Sequence, residues 1–245
     1  MKKILVVGDS YTYGSGCDDR PWYIDEKTNS WVPCAPSYPL PGPSEQCWAS
    51  LLQGSLSNCE VINLSVPGHD NGSILLSVLN YPDLANVDLI MFAGSCDDRY
   101  RIKSDVTQGS EVKVETWVLA HTKQGIDPAY NKALVEYIKY LYHPDVYRDN
   151  TIMAILALYG IAKKTNAKVL WNILFWERSF KDARLDPYRE DLFVSPAEFV
   201  RFKKSGTSGH MNPDYMSPCR HVNARAHREY AYEYLLPVVK NKLGI

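Results

Sequence analysis

The chain has 245 residues, a formal net charge of −1 and 45% apolar residues. A chain of this length buries roughly 70–75% of its unfolded surface, so it can form a hydrophobic core without a disulfide framework or a structural metal. The near-neutral charge lacks the basic excess typical of nucleic-acid-binding proteins, and no stretch approaches the ~18 consecutive apolar residues of a membrane-spanning helix. We therefore expect neither nucleic-acid nor membrane partners.

The first predicted strand lies at the start of the chain. Residues 3–7 (KILVV) are an apolar, β-branched run that ends at Gly8, which is typical of a buried parallel strand. The run is shorter than the about 7–15 apolar residues of a secretory signal. We expect synthesis in the cytoplasm, with association with a virus particle left open.

Further apolar runs and helical patterns alternate along the chain. The predicted strands are 61–64, 87–92 and 167–174, and the predicted helices are 47–52, 72–79, about 151–164 and about 224–240. This alternation predicts a parallel sheet covered by helices on both faces. The predicted fold class is α/β, a flavodoxin-like three-layer α/β/α sandwich, and the lack of a linker favours one domain over residues 1–245.

Two segments break the alternation. Residues 20–46 are rich in proline, aromatic and polar residues, and residues 176–218 are also rich in loop-forming residues. We interpret both as insertions that lie over the site, because long ordered loops are often functional. The 17 tyrosines and 6 tryptophans could form a sugar-binding surface or lie half-buried at the edge of the core.

The cysteines and histidines do not predict a metal site. The six cysteines are Cys17, Cys34, Cys47, Cys59, Cys96 and Cys219. They show no CxxC spacing, and the histidines and carboxylates lack the short spacings of zinc ligands. No GxGxxG or Walker-type loop follows the first strand, which disfavours a nucleotide. We expect free thiols and no cofactor.

Polar motifs follow the predicted strands. They are residues 8–10 (GDS), 63–71 (NLSVPGHDN) and 94–99 (GSCDDR), and a late motif at 221–227 (HVNARAH) opens the last predicted helix. The carboxyl ends of parallel strands lie at one edge of the sheet, where open α/β sheets bind ligands. The sequence therefore predicts a site at this edge.

These motifs, in this order, resemble the SGNH (GDSL-type) hydrolases. GDS alone is a weak signal, but GDS near the start, NLSVPG and a late H-x-N-x-x-x-H together are much stronger. The resemblance covers the framework of nearly the whole chain but not the two insertions. The early GDSYTYG and the tryptophan-rich loops are also similar to SGNH-like proteins of tailed bacteriophages.

The resemblance implies a serine hydrolase with Ser10 as nucleophile and His221 as general base. A serine hydroxyl needs a base within about 2.6–3.2 Å to remove its proton. The oxyanion hole would combine the backbone N–H groups of Ser10 and Gly68 with a side chain of the third motif. Gly68 suits this role because the absence of a Cβ lets its backbone approach a ligand.

Two positions depart from the family pattern. Cys96 replaces the asparagine of G-x-N-D, and a thiol is a weak donor, so the hole keeps two good donors unless Arg99 or Asn71 supplies a third. Pro218 replaces the aspartate three residues before the histidine. A main-chain carbonyl could orient the imidazole instead, or Asp214 could act as the triad acid.

The candidate residues also have structural interpretations. Ser10 could simply cap a helix, and Cys96 could be a buried strand-end thiol rather than a nucleophile. We expect Asp9, Asn63 and Asp97 to have supporting roles, with Asp9 holding its loop rather than acting as an acid.

Residues 97–99 (DDR) could contact substrate or form a solvated ion-pair cluster. Of the other histidines, His210 is a rival base, His227 is expected to be structural and His69 could line the pocket.

We therefore predict a serine esterase that removes a small acyl group, such as acetyl, from a carbohydrate or a similar polar substrate. The carbohydrate expectation rests on the resemblance and the aromatic loops. The alternative is an SGNH-fold binding or virion-structural protein with weak or no activity, as Cys96 and Pro218 suggest. A thioesterase or lipase is disfavoured because residues 20–46 are too polar for a lipid-binding funnel.

Overall fold

The computed structural model describes residues 1–19, 22–25, 30–33, 42–97, 99–103, 111–114, 132, 136, 139–140, 142–173, 179–201, 213–217 and 221–245. The strands are β1 (Lys2–Gly8), β2 (Trp22–Asp25), β3 (Ser30–Pro33), β4 (Cys59–Asn63), β5 (Leu89–Ala93), β6 (Tyr100–Lys103), β7 (Glu111–Val114) and β8 (Lys168–Asn172). The α-helices are α1 (Ser10–Tyr13), α2 (Trp48–Ser55), α3 (Asn71–Leu79), α4 (Pro144–Thr165), α5 (Pro196–Phe199), α6 (Ala224–Tyr230) and α7 (Leu236–Leu243). Short 3-10 helices lie at Leu84–Asn86, Ser179–Lys181, Ala183–Asp191 and Pro213–Tyr215, and a π-helical stretch (Ala231–Leu235) joins α6 to α7.

A parallel sheet with the order β4-β1-β5-β8 organises the fold. Its registers align Val6 with Asn63 and Met91, and Ala93 with Asn172. All these strands run in the same direction, so their carboxyl ends meet at one edge. Ser10, Gly68 and the third motif follow directly from this edge.

The core lies on both faces of the sheet because alternate strand residues point to opposite sides. Ile4 and Val6 pack in the cluster that contains α2 and the C-terminal helices, whereas Leu5 and Val7 pack in the cluster that contains α3 and α4. Each of these four side chains is fully buried. The three-layer α/β/α prediction is confirmed; that residues 1–245 form one domain stays a prediction.

The predicted strands and helices of the framework agree with the structure to within a few residues, except at the start of α4. Helix α4 begins at Pro144 rather than near 151, because its first turn is polar and starts with a proline, a helix-start signal that apolar periodicity does not reveal. The last predicted helix continues to Leu243 and contains the π-helical stretch. No helix within the described ranges is long and apolar enough to cross a bilayer.

Two antiparallel strand pairs were not predicted. Strands β2 and β3 pair inside the segment predicted to be a loop, with Tyr23 opposite Val32. Strands β6 and β7 pair between residues 100 and 114. The segments WYID, SWVP and EVKV contain β-branched or aromatic residues that favour strands, but four-residue strands are too short for a periodic signal.

Candidate active site

Strand β1 carries Ser10 to the carboxyl edge of the sheet, where Ser10 is the first residue of α1 and only 7% exposed. His221 lies just before α6, and its Nε2 atom is 2.9 Å from Ser10 Oγ. This distance is within the reach that a general base needs to accept a hydroxyl proton. The structure therefore brings together the two residues that the motifs predicted as nucleophile and base.

The backbone around His221 is held by bonds within its own loop. The Ser217 backbone N–H donates to the His221 carbonyl at 2.8 Å, and the Ser217 hydroxyl donates to the same carbonyl at 3.0 Å. Met216 and Val222 form an antiparallel bridge across the same loop. Asn223 then caps α6 by accepting from the Ala226 N–H at 3.0 Å, which fixes where the helix begins.

Tyr11 and Gly16, which follow Ser10 in the chain, both lie against His221. The ring of Tyr11 lies 5.1 Å from the imidazole, centroid to centroid, with an interplanar angle of 47°. At Gly16 a Cβ would lie 2.6 Å from Ser217 Oγ and 2.9 Å from His221 Cβ. Gly16 also has a φ of +102°, a backbone conformation that residues other than glycine rarely adopt. The missing side chain at Gly16 therefore makes room for His221.

Asp9 holds the turn that carries Ser10 through bonds from both of its carboxylate oxygens. One carboxylate oxygen accepts from the Tyr11 N–H at 3.0 Å and so caps α1. The other accepts from Ser95 Oγ at 3.1 Å and from Arg99 Nη1 at 3.0 Å. Both Asp9 oxygens are thus engaged, one in capping α1 and the other in joining the end of β1 to the third motif.

Gly68 occupies a tight turn after β4. The His69 N–H donates to the Val66 carbonyl at 3.2 Å, and Gly68 has a φ of +74°. Proline followed by glycine at the centre of such a turn is the type II pattern. The Val66 N–H also donates to the Gly8 carbonyl at 3.1 Å, which keeps this turn next to the end of β1.

Asn63 supports the same turn from its base. Its side-chain N–H group donates to the Thr12 carbonyl at 3.3 Å, and its side-chain oxygen accepts from the Ser65 N–H at 3.0 Å. Asn63 therefore ties the loop after β4 to helix α1; its supporting role in catalysis stays a prediction.

The amide of Asn71 clamps the third motif and is engaged there. Its oxygen accepts from the Ser95 N–H at 2.7 Å, and its nitrogen donates to Thr151 Oγ1 at 2.8 Å and to the Ser95 carbonyl at 3.3 Å. Arg99 in turn donates to Asp9. The Asn71 amide is thus engaged on both its oxygen and its nitrogen, whereas a role of Arg99 as an oxyanion donor stays a prediction. Cys96, at the position where the resemblance implies an asparagine, is half-buried.

The solvated-cluster interpretation of residues 97–99 is wrong for the described members. Asp97 is 5% exposed and accepts from the Ser179 N–H at 2.9 Å and from Ser179 Oγ at 2.5 Å. The Arg99 side chain is 9% exposed and pairs with Asp9. Both groups are buried because they tie the third motif to neighbouring segments.

Asp214 and His227 differ in burial and contacts. Asp214 lies exposed in the Pro213–Tyr215 helix, where its backbone carbonyl accepts from Asn223 Nδ2 at 2.9 Å; its role as triad acid stays a prediction. His227 is fully buried, and its Nδ1 accepts from the Trp48 N–H at the start of α2 at 3.4 Å. Burial, aided by the nearby His221, lowers the pKa of His227 to about 3, so it is a neutral, structural side chain.

Several sequence-predicted residues lie outside the described ranges. They are Cys34, Asp98, His210, Pro218 and Cys219. Sequence reasoning missed the roles of Tyr11, Gly16 and Ser217. The glycine pair at 14 and 16 was the available signal for Gly16, whereas nothing local marks Tyr11 or Ser217 as neighbours of a histidine some two hundred residues away.

Two cavities adjoin this edge of the sheet. One, of about 450 Å³, lies between α3 and α4 and borders Asp97 and Arg99. The other, of about 600 Å³, follows α3 and is lined in part by His69. Within the described ranges, no group of three or more histidines, cysteines and carboxylates could hold a metal ion.

Comparison with known proteins places this geometry in a known fold. No protein-family model and no curated protein matches the chain. The psychrotrophic esterase EstA from Pseudoalteromonas sp., in a structure inhibited by monoethylphosphonate, matches with a TM-score of 0.53 and 14% identity over 100% of both chains. The chain has the SGNH-hydrolase fold.

Other structures with the SGNH-hydrolase fold agree over most of the chain. The acetyl xylan esterase AlAXEase matches with a TM-score of 0.52 and 15% identity over 96% of this chain and 99% of its own. A carbohydrate esterase, described as having divergent catalytic and non-catalytic binding functions, matches with a TM-score of 0.51 and 11% identity over 98% of this chain and 65% of its own. None of these structures tests the narrower similarity to phage proteins, which stays a prediction.

Proposed function

We propose that this protein is a carboxylic ester hydrolase that removes a small acyl group, such as acetyl, from a polar alcohol such as a carbohydrate. The observation that carries the proposal is the 2.9 Å contact between Ser10 Oγ and His221 Nε2 at the carboxyl edge of the sheet. The SGNH-hydrolase fold supports it, because three esterases with this fold match most or all of the chain.

The chemistry follows from the roles of these two residues. Ser10 Oγ attacks the ester carbonyl while His221 Nε2 takes its proton, and the Ser10 and Gly68 N–H groups donate to the developing oxyanion. His221 then gives the proton to the leaving alcohol, and the acyl group remains on Ser10. A water molecule, deprotonated by His221, then attacks the acyl-serine. As the bond from the acyl carbon to Ser10 Oγ breaks and the acid leaves, His221 returns the proton to Oγ and restores the free hydroxyl and the neutral imidazole.

The proposal is tested by turnover of p-nitrophenyl acetate and by covalent labelling with a fluorophosphonate. We expect Ser10→Ala to abolish labelling and to lower kcat by roughly 10⁴-fold or more, and His221→Ala to reduce both strongly. Ser55→Ala is the matched control, because Ser55 bonds only within α2 among its described contacts, to Leu51 O at 2.8 Å. Equal labelling of the wild type and Ser10→Ala would reject the nucleophile assignment.

A second candidate function is a binding or virion-structural role with little activity. The observation that favours it is the third motif, where Cys96 replaces an amide while Asn71 and Arg99 bond to Ser95 and Asp9. A folded wild type that neither turns over the ester nor reacts with the fluorophosphonate would support this candidate, as would co-purification with virus particles. Measurable turnover that depends on Ser10 would contradict it.

A further inference from the structure

We propose that Ser95 is a positioning residue for the nucleophile: its hydroxyl holds Asp9, and Asp9 holds the turn that carries Ser10. The inference rests on the proposed hydrolase function and adds a residue that acts on the reaction through another side chain. Ser95 lies in the third motif, two residues after the end of β5, and is only 1% exposed. Its hydroxyl therefore works inside the protein, away from solvent.

Helix α1, which begins at Ser10, depends on Asp9 for its stability. The helix has only four residues, and isolated helices shorter than roughly 12–15 residues are marginal in water. The Asp9 carboxylate accepts from the Tyr11 N–H at 3.0 Å, and the Asp9 backbone carbonyl accepts from the next two N–H groups at 3.1 and 2.9 Å. A change in the orientation of Asp9 therefore moves the Ser10 hydroxyl and the Ser10 N–H group together.

Ser95 sets the direction of the Asp9 carboxylate. Its hydroxyl donates at 3.1 Å to Asp9 Oδ2, the oxygen that does not cap α1. Arg99 donates to the same oxygen at 3.0 Å and supplies the opposite charge. The guanidinium reaches Asp9 at the end of a long side chain with many rotamers, whereas the serine hydroxyl is one bond from its Cβ. Arg99 therefore balances the charge of Asp9, and Ser95 fixes its orientation.

The backbone of Ser95 is itself held by helices α3 and α4. The side-chain oxygen of Asn71, the first residue of α3, accepts from the Ser95 N–H at 2.7 Å, and its nitrogen donates to the Ser95 carbonyl at 3.3 Å. The same nitrogen donates to Thr151 Oγ1 of α4 at 2.8 Å. Asn71 and Thr151 are 3% and 1% exposed, and a hydrogen bond in such surroundings is electrostatically stronger than one in water. A buried chain of hydrogen bonds therefore runs from Thr151 through Asn71 and Ser95 to Asp9.

The chain matters for the reaction because the geometry at Ser10 has a narrow tolerance. Ser10 Oγ lies 2.9 Å from His221 Nε2, and the Ser10 N–H is a proposed oxyanion donor. A displacement of about 1 Å in a reacting group can cost roughly 10²-fold in rate. Loosening of Asp9 should therefore lower kcat, whereas KM should change little because neither Ser95 nor Asp9 binds the substrate.

Ser95→Ala tests the central link. The variant loses the hydroxyl but keeps the backbone bonds to Asn71 and the ion pair between Asp9 and Arg99. We expect kcat for p-nitrophenyl acetate to fall about tenfold with KM within about twofold of wild type, and the rate of fluorophosphonate labelling to fall in parallel. Ser55→Ala is again the control and should match the wild type. A Ser95→Ala variant with the kcat of an active wild type would overturn the assignment.

Thr151→Val tests the outer end of the chain, because valine has the shape of threonine without the hydroxyl. We expect kcat to fall about threefold, since the loss of one hydrogen bond is passed on through Asn71. Thr151→Ser keeps the hydroxyl and should restore kcat. Thr165→Val is the matched control on the same helix, where the Thr165 hydroxyl bonds to the carbonyls of Ile161 and Ala162. A serine variant as slow as the valine variant would assign the effect to packing and contradict the chain.

Amide hydrogen exchange, followed by NMR, separates this inference from the hydrolase proposal. In Ser95→Ala the N–H groups of residues 11–13 should exchange about fivefold faster than in the wild type or more, while those of α2 keep their protection. An inactive wild type with this exchange pattern would refute the hydrolase and keep Ser95 as the residue that fixes the turn. Unchanged exchange at residues 11–13 would refute the role of Ser95, whether or not the wild type hydrolyses esters.

Discussion

The guanidinium of Arg99 donates to the carboxylate of Asp9 at 3.0 Å, and the two side chains are only 9% and 8% exposed. This ion pair joins the third motif to the residue that precedes Ser10. Asp9 and Arg99 are ninety positions apart in the sequence. Their pair therefore fixes the relative position of two strand ends that carry the candidate site.

Arg99→Met should lower the free energy of unfolding by about 3 kcal/mol, because removal of one partner leaves a charge buried without its counter-ion. Arg225→Met is the matched control, since Arg225 is 58% exposed and pairs with Glu229 on the surface; its expected cost is below about 1 kcal/mol. Urea unfolding measures both. Equal losses of unfolding free energy in the two variants would show that the buried Asp9–Arg99 pair stabilises the fold no more than a surface ion pair.

Cys96→Asn should raise kcat for p-nitrophenyl acetate by about tenfold or more, because a well-placed oxyanion donor contributes roughly 10²–10³ in kcat. Cys96→Ala serves as the comparison and should stay close to wild type, since a thiol is a weak donor. If the asparagine variant gains nothing over the alanine variant, the third motif takes no part in stabilising the oxyanion.

Tyr11→Leu should lower kcat several-fold with little change in KM, because the tyrosine ring lies 5.1 Å from the imidazole of His221 and restricts its orientation. The rate of fluorophosphonate labelling should fall in parallel. Tyr11→Phe keeps the ring and should restore both rates. A phenylalanine variant as slow as the leucine variant would assign the effect to the hydroxyl instead.

Acid should destabilise the protein through His227. Its pKa is near 6.5 in an unfolded chain and is lowered to about 3 by burial in the folded protein. The unfolded state therefore binds the extra proton first, so this contribution to stability is complete above pH 6.5 and is lost as the pH falls toward 3, by up to about 1.4 kcal/mol per pH unit.

His227→Asn tests this dependence, because an asparagine oxygen can still accept from the Trp48 N–H but does not titrate. Urea unfolding between pH 7 and pH 4 should give a flatter stability profile for the variant than for the wild type. His143→Asn is the control, since the side chain of His143 is 66% exposed. Identical slopes for the wild type and His227→Asn would rule out a neutral buried imidazole.

The parts of the structure that the sequence predicted are those with a local, periodic signal. The strands at the ends of which Ser10, Asn63 and Gly94 stand are apolar runs with clear boundaries, so the sheet edge and the motifs on it could be predicted together. The 2.9 Å contact of Ser10 with His221 agrees with the pairing that the resemblance to the SGNH hydrolases implies.

The remaining features depend on contacts between distant segments. Arg99 looked like part of a solvated charge cluster because its partner, Asp9, lies on another strand end. Asn71 looked like a spare donor, but Ser95 and Thr151 engage its amide. Propensity and spacing describe a residue's neighbours in the chain, whereas these bonds depend on the packing of the sheet edge.

Gly16 gives the nucleophile segment a second task. The chain that presents Ser10 also forms, six residues later, the notch into which the Cβ of His221 fits. The short segment from Ser10 to Gly16 therefore positions both members of the candidate Ser–His dyad. Divergence at position 16 would misalign the pair while leaving every reactive group in place, so a homologue with intact Ser and His but a bulkier residue here is where an inert copy of the site should be sought.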